Sequence, residues 1–170
     1  MSPEAELGRL YDAHAASMAA FARSLTRSEA DAFDLLQETF VKVARDPALL
    51  GGVRDERGFL LRLVRNAAID LFRRRGVREA VNEAWGESPA ARFVPTPDPD
   101  EAAFREALKD GLGELPAEQR EVVHLKLWEG RTFEAIAELL GLSLNTVASR
   151  YRYGLDKLRR RLRPLYEELR

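Results

Sequence analysis

Apolar side chains recur at intervals of three and four along most of the chain, the spacing that collects them on one face of a helix. Leu7, Leu10, Tyr11, His14, Met18, Phe21 and Leu25 form the first such row, which predicts a helix from Pro3 to about Thr26. Ser28, with Asp31 three positions on, offers a side-chain acceptor that starts a second helix carrying Phe33, Leu36, Phe40 and Val43. Pro47 and Gly51-Gly52 end it. A third helix is predicted from about Glu56 to Arg75, with Leu60, Val64, Ala67 and Leu71 turned inward and Gly76 as its stop.

Periodicity fades after Gly76, where Pro89, Pro95, Pro97 and Pro99 gather in a stretch that cannot sustain helical hydrogen bonding. Asp98 then caps a helix with Pro99 at its first position, launching Ala103, Leu108 and Leu112. Leu115-Pro116 opens another that ends near Gly130. A short helix follows from Thr132 to Leu140, a turn at Gly141-Leu142-Ser143, and a longer helix from Leu144 to about Leu162. No strand alternation competes. The expected fold is all-α, with two small helical domains, 1–76 and 99–170, joined by a Pro-rich linker at 77–98, and a helix-turn-helix in the C-terminal one.

The helix-turn-helix expectation rests on Ala137, small enough for close crossing, Gly141 in the turn, and Ile136, Leu140, Leu142 and Val147 as shared apolar contacts. On its second helix Val147, Tyr151, Leu155, Leu158 and Leu162 make one stripe, leaving Asn145, Ser149, Arg152 and Arg159 on a polar face. Such a face fits a major groove. The plainer reading is a helical hairpin with a solvated basic face; the combined spacing favours DNA. Arg62, Arg65, Asn66, Ile69 and Arg73 share one side of the third helix, and Arg74 and Arg75 extend its basic end. Taken alone, that side reads as a solvated face above a core row.

Charge changes the picture only locally. With 27 Lys and Arg against 28 Asp and Glu, the net charge of -1 gives no overall attraction to nucleic acid. After Asn145, however, basic residues far outnumber acidic ones, which suits phosphate contact. Cysteine is absent, removing disulfides, thiolate ligands and a cysteine nucleophile. His14 and His124 sit within helical apolar patterns and in no metal or nucleophile motif, so neither an enzyme nor a cofactor is expected. No basic leader or long apolar run stands out, and a soluble, cytoplasmic protein with no membrane insertion is the expectation.

Several segments, in order, carry a resemblance. Asp34-Leu35-Leu36-Gln37-Glu38-Thr39-Phe40 is similar to the polymerase-docking segment of bacterial sigma factors. The run from Phe59 through Asn66 to Asp70 resembles the promoter-reading segment that follows it. Leu115 to Val122 and Gly130 to Ala137 resemble successive parts of the family's C-terminal domain, and Asn145 to Arg150 its recognition helix. The chain is thereby identified as resembling the extracytoplasmic function (ECF) class, with departures at Phe33, Ala148 and Tyr153.

The resemblance implies a non-enzymatic subunit that binds core RNA polymerase through Asp34, Leu35, Gln37 and Glu38, with Leu36 and Phe40 in the core. It implies that Arg62, Arg65, Asn66, Arg73 and Arg74 meet the minus-ten element, Asn66 near a flipped base and Arg73 and Arg74 on the backbone of the opening strand. Ser149 and Arg152 would read the minus-thirty-five duplex, with Thr146 and Arg150 nearer the phosphates. Promoter DNA is thus met both as duplex and as melted single strand. An anti-sigma factor that holds the chain inactive is a further partner the resemblance allows. Two other classes compete: a stand-alone helix-turn-helix regulator, against which the docking-like segment argues, and a helical adaptor with no nucleic-acid role.

Overall fold

The computed structural model describes residues 1–76 and 99–168, and every regular element among them is helical. The N-terminal half comprises α1 (Pro3–Thr26), α2 (Glu29–Arg45), a 3-10 turn (Pro47–Leu50) and α3 (Glu56–Arg74). The C-terminal half comprises α4 (Pro99–Glu114), α5 (Ala117–Leu127), α6 (Phe133–Leu140) and α7 (Leu144–Glu168). The expected linker, 77–98, lies outside the described residues.

Short polar side chains set the helix starts by accepting from backbone N–H groups that have no intrahelical partner. Ser2 accepts from Ala5 N at 3.1 Å, Ser28 from Asp31 N at 3.2 Å and Asp55 from Gly58 N at 3.0 Å. Thr132 and Ser143 do the same for α6 and α7, each at 3.1 Å. α2 ends at Arg45, just before Pro47 as expected, and the chain then tightens into a 3-10 turn that begins at Pro47. One helix end differs from the sequence expectation. The last helix runs beyond Leu162 through Pro164 to Glu168. A proline removes one intrahelical bond, and burial of Leu158 and Leu162 just before it keeps the helix packed on this side.

Helices α1, α2 and α3 pack mutually, while α7 packs along α4, α5 and α6. At Gly154 α7 lies close against α5, where a Cβ would lie 2.9 Å from Val123 Cγ2. One apolar cluster runs through both halves, from Leu10, Met18, Phe21, Leu35, Leu60, Leu61 and Val64 to Val122, Leu125, Ile136, Leu139 and Val147. A smaller one joins Leu115, Val123 and Leu158. The inward face of α3 is therefore wider than the row read from sequence, because Leu61, Leu63 and Ala68 are buried as well.

Two aromatic positions of the expected rows face outward instead. The inward set of α2 is Ala32, Leu35, Leu36, Thr39, Phe40 and Val43, which leaves Phe33 60% exposed about a quarter-turn away. Tyr11 is also exposed, its ring lying 5.1 Å from that of Phe40.

Two tests follow from these local contacts. Arg75 donates to both oxygens of Asp31 at 2.7 and 2.8 Å, tying the start of α2 to the end of α3, and these bonds hold the Asp31 carboxyl below its ordinary value. A carboxyl lowered in the folded state contributes stability above its unfolded value and loses it as pH falls through the lowered one. Asp31→Asn is expected to cost up to about 1 kcal/mol at about pH 7, with the gap closing toward about pH 2; thermal melts of both proteins across that range check it. Ser143→Ala removes the cap of α7 and is expected to cost about 1 kcal/mol, read as a lower urea midpoint at unchanged slope.

Candidate nucleic-acid interface

The α6-turn-α7 unit is built as its residues dictate. Gly141 takes φ 68°, a left-handed conformation that glycine adopts without a Cβ clash, and Leu142 N donates to Ala137 O at 3.0 Å. Ile136, Leu140 and Val147 are buried beneath the turn. Ser143, besides capping α7, lies 2.8 Å from the Thr146 hydroxyl. Outside this apolar base, Thr146, Ser149 and Arg150 come together in a shallow groove of about 360 Å³, with Asn145, Tyr153, Glu118 and Gln119. Arg152 is exposed beside it, its guanidinium 5.2 Å from the Tyr153 ring centre. Glu118 and Gln119 come from α5, and no periodicity in sequence points to their meeting α7.

The basic residues of α3 divide into two sets. Asn66, Arg73 and Arg74 are exposed. Arg62 and Arg65 point instead to the C-terminal half: Arg62 donates to the Glu138 carbonyl at 3.2 Å, and Arg65 donates through Nε and Nη2 to the Glu121 carboxylate at 3.0 and 3.4 Å. Burial pushes the Glu121 carboxyl up, while Arg65 pulls the other way. Sequence alone shows the five side chains on one helix but not that two of them are already engaged.

On α2, Asp34, Gln37 and Glu38 are exposed on the surface expected to dock. Leu35 is not: it is 1% exposed and belongs to the core, so its place in the docking set is corrected. The i, i+3 and i, i+4 rule that buries Ala32, Leu36 and Thr39 takes Leu35 inward with them and turns Phe33 out. Glu38 also reaches Arg74 of α3 at 3.7 Å, so the docking helix and the basic end of α3 are neighbours.

Both histidines are accounted for by packing. His124 is buried between the Phe21 ring at 5.5 Å and the Trp128 ring at 5.8 Å, and 3.8 Å from Glu129. His14 lies 3.4 Å from Glu56. Glu129 also accepts from the Ser17 hydroxyl at 2.6 Å and lies 3.7 Å from Arg57 Nε. Burial pushes its carboxyl up, but His124, Ser17 and Arg57 outweigh that and hold it below the ordinary carboxylate value. Among the described residues no three His, Asp or Glu side chains gather as metal ligands, and no helix is long and apolar enough to cross a membrane.

Comparison with known proteins covers both halves. Residues 10–78 match sigma-70 region 2, and residues 111–160 match sigma-70 region 4. The ECF RNA polymerase sigma factor SigL of Mycobacterium tuberculosis is 35% identical over 165 residues, covering 95% of this chain and 92% of its own. The RNA polymerase sigma factor CarQ of Myxococcus xanthus is 33% identical over 165 residues, covering 94% and 91%. In a solved structure, the sigma factor RpoE of Bartonella quintana, in complex with the anti-sigma factor NepR, matches with a TM-score of 0.67 at 27% identity, over 94% of this chain and 96% of that one. An all-α chain with a region 2 half, a region 4 helix-turn-helix half and these full-length relatives belongs to the ECF sigma factors, which direct promoter recognition and transcription initiation.

Proposed function

We propose that this chain carries out sigma activity by splitting promoter contact between two surfaces and holding polymerase with a third. The observation that carries the reading is that Asn66, Arg73 and Arg74 stand exposed on α3, while Thr146, Ser149 and Arg150 converge in a separate groove on the helix-turn-helix. Asn66, an amide that both donates and accepts, meets a base flipped out of the minus-ten element. Arg73 and Arg74 hold the phosphates of the opening strand, joined by Arg62 and Arg65 when those are released. In the groove, Ser149 and the adjacent Arg152 read base edges of the minus-thirty-five duplex, and Thr146 and Arg150 meet its backbone.

Asp34, Gln37 and Glu38 form the polar surface that docks on core RNA polymerase, with Phe33 adding an exposed aromatic at its edge. Residues 1–76 and 99–170 act as the two functional domains, and 77–98 connects them across the polymerase. Melting is driven by capture of unpaired bases, without covalent chemistry by this chain. Its place of action is the cytoplasm, with the polymerase. Because the related Bartonella protein is held by an anti-sigma factor, a partner of that class that covers α2 or α3 is part of the proposal.

Transcription from a genomic fragment library, with bacterial core polymerase in the presence and absence of the chain, tests this reading. Discrete new start sites sharing two upstream elements are expected; duplex binding without polymerase and no new starts would instead mark a stand-alone regulator. Asn66→Ala is expected to reduce promoter opening about tenfold, read by permanganate reactivity of unpaired thymines, while leaving polymerase affinity unchanged. Arg152→Ala should weaken duplex promoter engagement by about tenfold instead. Equal loss of polymerase affinity in both would contradict the division.

A further inference from the structure

Tyr153 is an aromatic side chain set among the polar lining of the helix-turn-helix groove, and it is 55% exposed. It lies four positions after Ser149, as Arg152 lies four after Ala148, so these four residues share the face of α7 turned away from buried Val147 and Leu158. Two neighbours fix where the ring stands. Gly154, next in the chain, brings α7 against the start of α5: a Cβ there would lie 3.4 Å from Gln119 Cβ and 3.7 Å from the Gln119 carbonyl oxygen. A side chain at 154 would therefore push the α5 wall of the groove away from Tyr153. Beside the ring, the Arg152 guanidinium lies 5.2 Å from its centre, within reach of a cation–π contact.

We propose that Tyr153 is a specificity-determining residue of the minus-thirty-five contact, its ring packing on the 5-methyl group of a thymine while Ser149 and Arg152 bond to neighbouring base edges. The inference rests on the reading that α7 enters the major groove, and it adds which base is chosen there. Thymine alone presents a methyl group on its major-groove edge. A phenol ring cannot make the two-point hydrogen bond with which an arginine selects guanine. What it offers is apolar surface, wet in the free chain and withdrawn from water when a methyl group meets it.

Two nearby residues support the same choice. Ala148, beside Arg152, brings a methyl group and no charge to this face. Glu118 stands exposed on the α5 wall, and a carboxylate accepts hydrogen bonds but repels phosphate. That wall therefore favours base edges over backbone, and Arg150 is left to hold phosphate. Ala148 and Tyr153 are also positions at which the sequence departs from the family resemblance, so the preference belongs to this chain and not to its class.

The test uses the full chain with bacterial core polymerase. The probe is one promoter recovered from the fragment library, its minus-thirty-five element randomised and the duplexes copied with either dTTP or dUTP. Uracil pairs as thymine does and lacks only the methyl group. Selection on the thymine duplexes is expected to enrich thymine at one position or more. Uracil at that position should lower affinity about fourfold, the change that follows from leaving one methyl-sized group in water. Tyr153→Ala should become indifferent to the exchange, while Tyr153→Phe, which keeps the ring, should retain the preference. Equal affinity of the unsubstituted chain for thymine and uracil at every position would overturn the inference and leave promoter recognition standing. A preference that survives Tyr153→Ala would overturn it as well, as would a Tyr153→Ala protein that loses both kinds of duplex alike. Enrichment of no upstream sequence at all would overturn the reading of α7 together with the inference built on it.

Discussion

The partly buried ion pair between Arg65 of α3 and Glu121 of α5 is a contact around which the arrangement of this protein turns. Neither group is comfortable there alone: a carboxylate removed from water without a partner carries a cost of several kcal/mol, on the order expected for an unpaired buried ion. Each is tolerable because the other is present, and each comes from a different half of the chain. The pair therefore specifies which faces of the two halves meet, while the apolar cluster of Phe21, Val64, Leu125 and Ile136 makes meeting favourable.

That arrangement explains why so balanced a charge coexists with nucleic-acid work. A net charge of -1 would not draw the whole molecule to DNA. The acidic groups instead lie at defined places, Glu121 and Glu129 between the two halves and Asp34 and Glu38 on α2, while basic residues outnumber acidic ones at the far end of α7. Glu38 of α2 and Arg74 of α3 meet at 3.7 Å, so the acidic face of one helix adjoins the basic end of the other.

Rigid supports hold those surfaces. The recognition groove rests on Val147 and Ile136, fully buried, and on a turn that Gly141 allows. Gly154 lets α5 come close enough for Glu118 and Gln119 to join Thr146 and Ser149. On α2, Leu35, Leu36 and Phe40 anchor the helix and thereby aim Asp34, Gln37 and Glu38 outward. Side chains proposed to touch a partner are thus positioned by neighbours that touch only the core.

Helix identity and most helix ends were legible in the sequence, because periodicity, capping side chains and turn glycines act over a few residues. Ser28, Thr132, Ser143 and Gly141 do what their local chemistry dictates. The helix-turn-helix was legible for the same reason. What sequence could not settle was rotation and partnership. A row such as Phe33, Leu36, Phe40 and Val43 fits helical spacing, yet only packing against α1 and α3 decides that Leu35 goes in and Phe33 stays out. Likewise Arg62 and Arg65 look equivalent to Arg73 and Arg74 along the helix. Their engagement by Glu138 and Glu121 depends on residues 76 and 56 positions away, and contacts at such separation are set by how the halves pack, which no local pattern encodes.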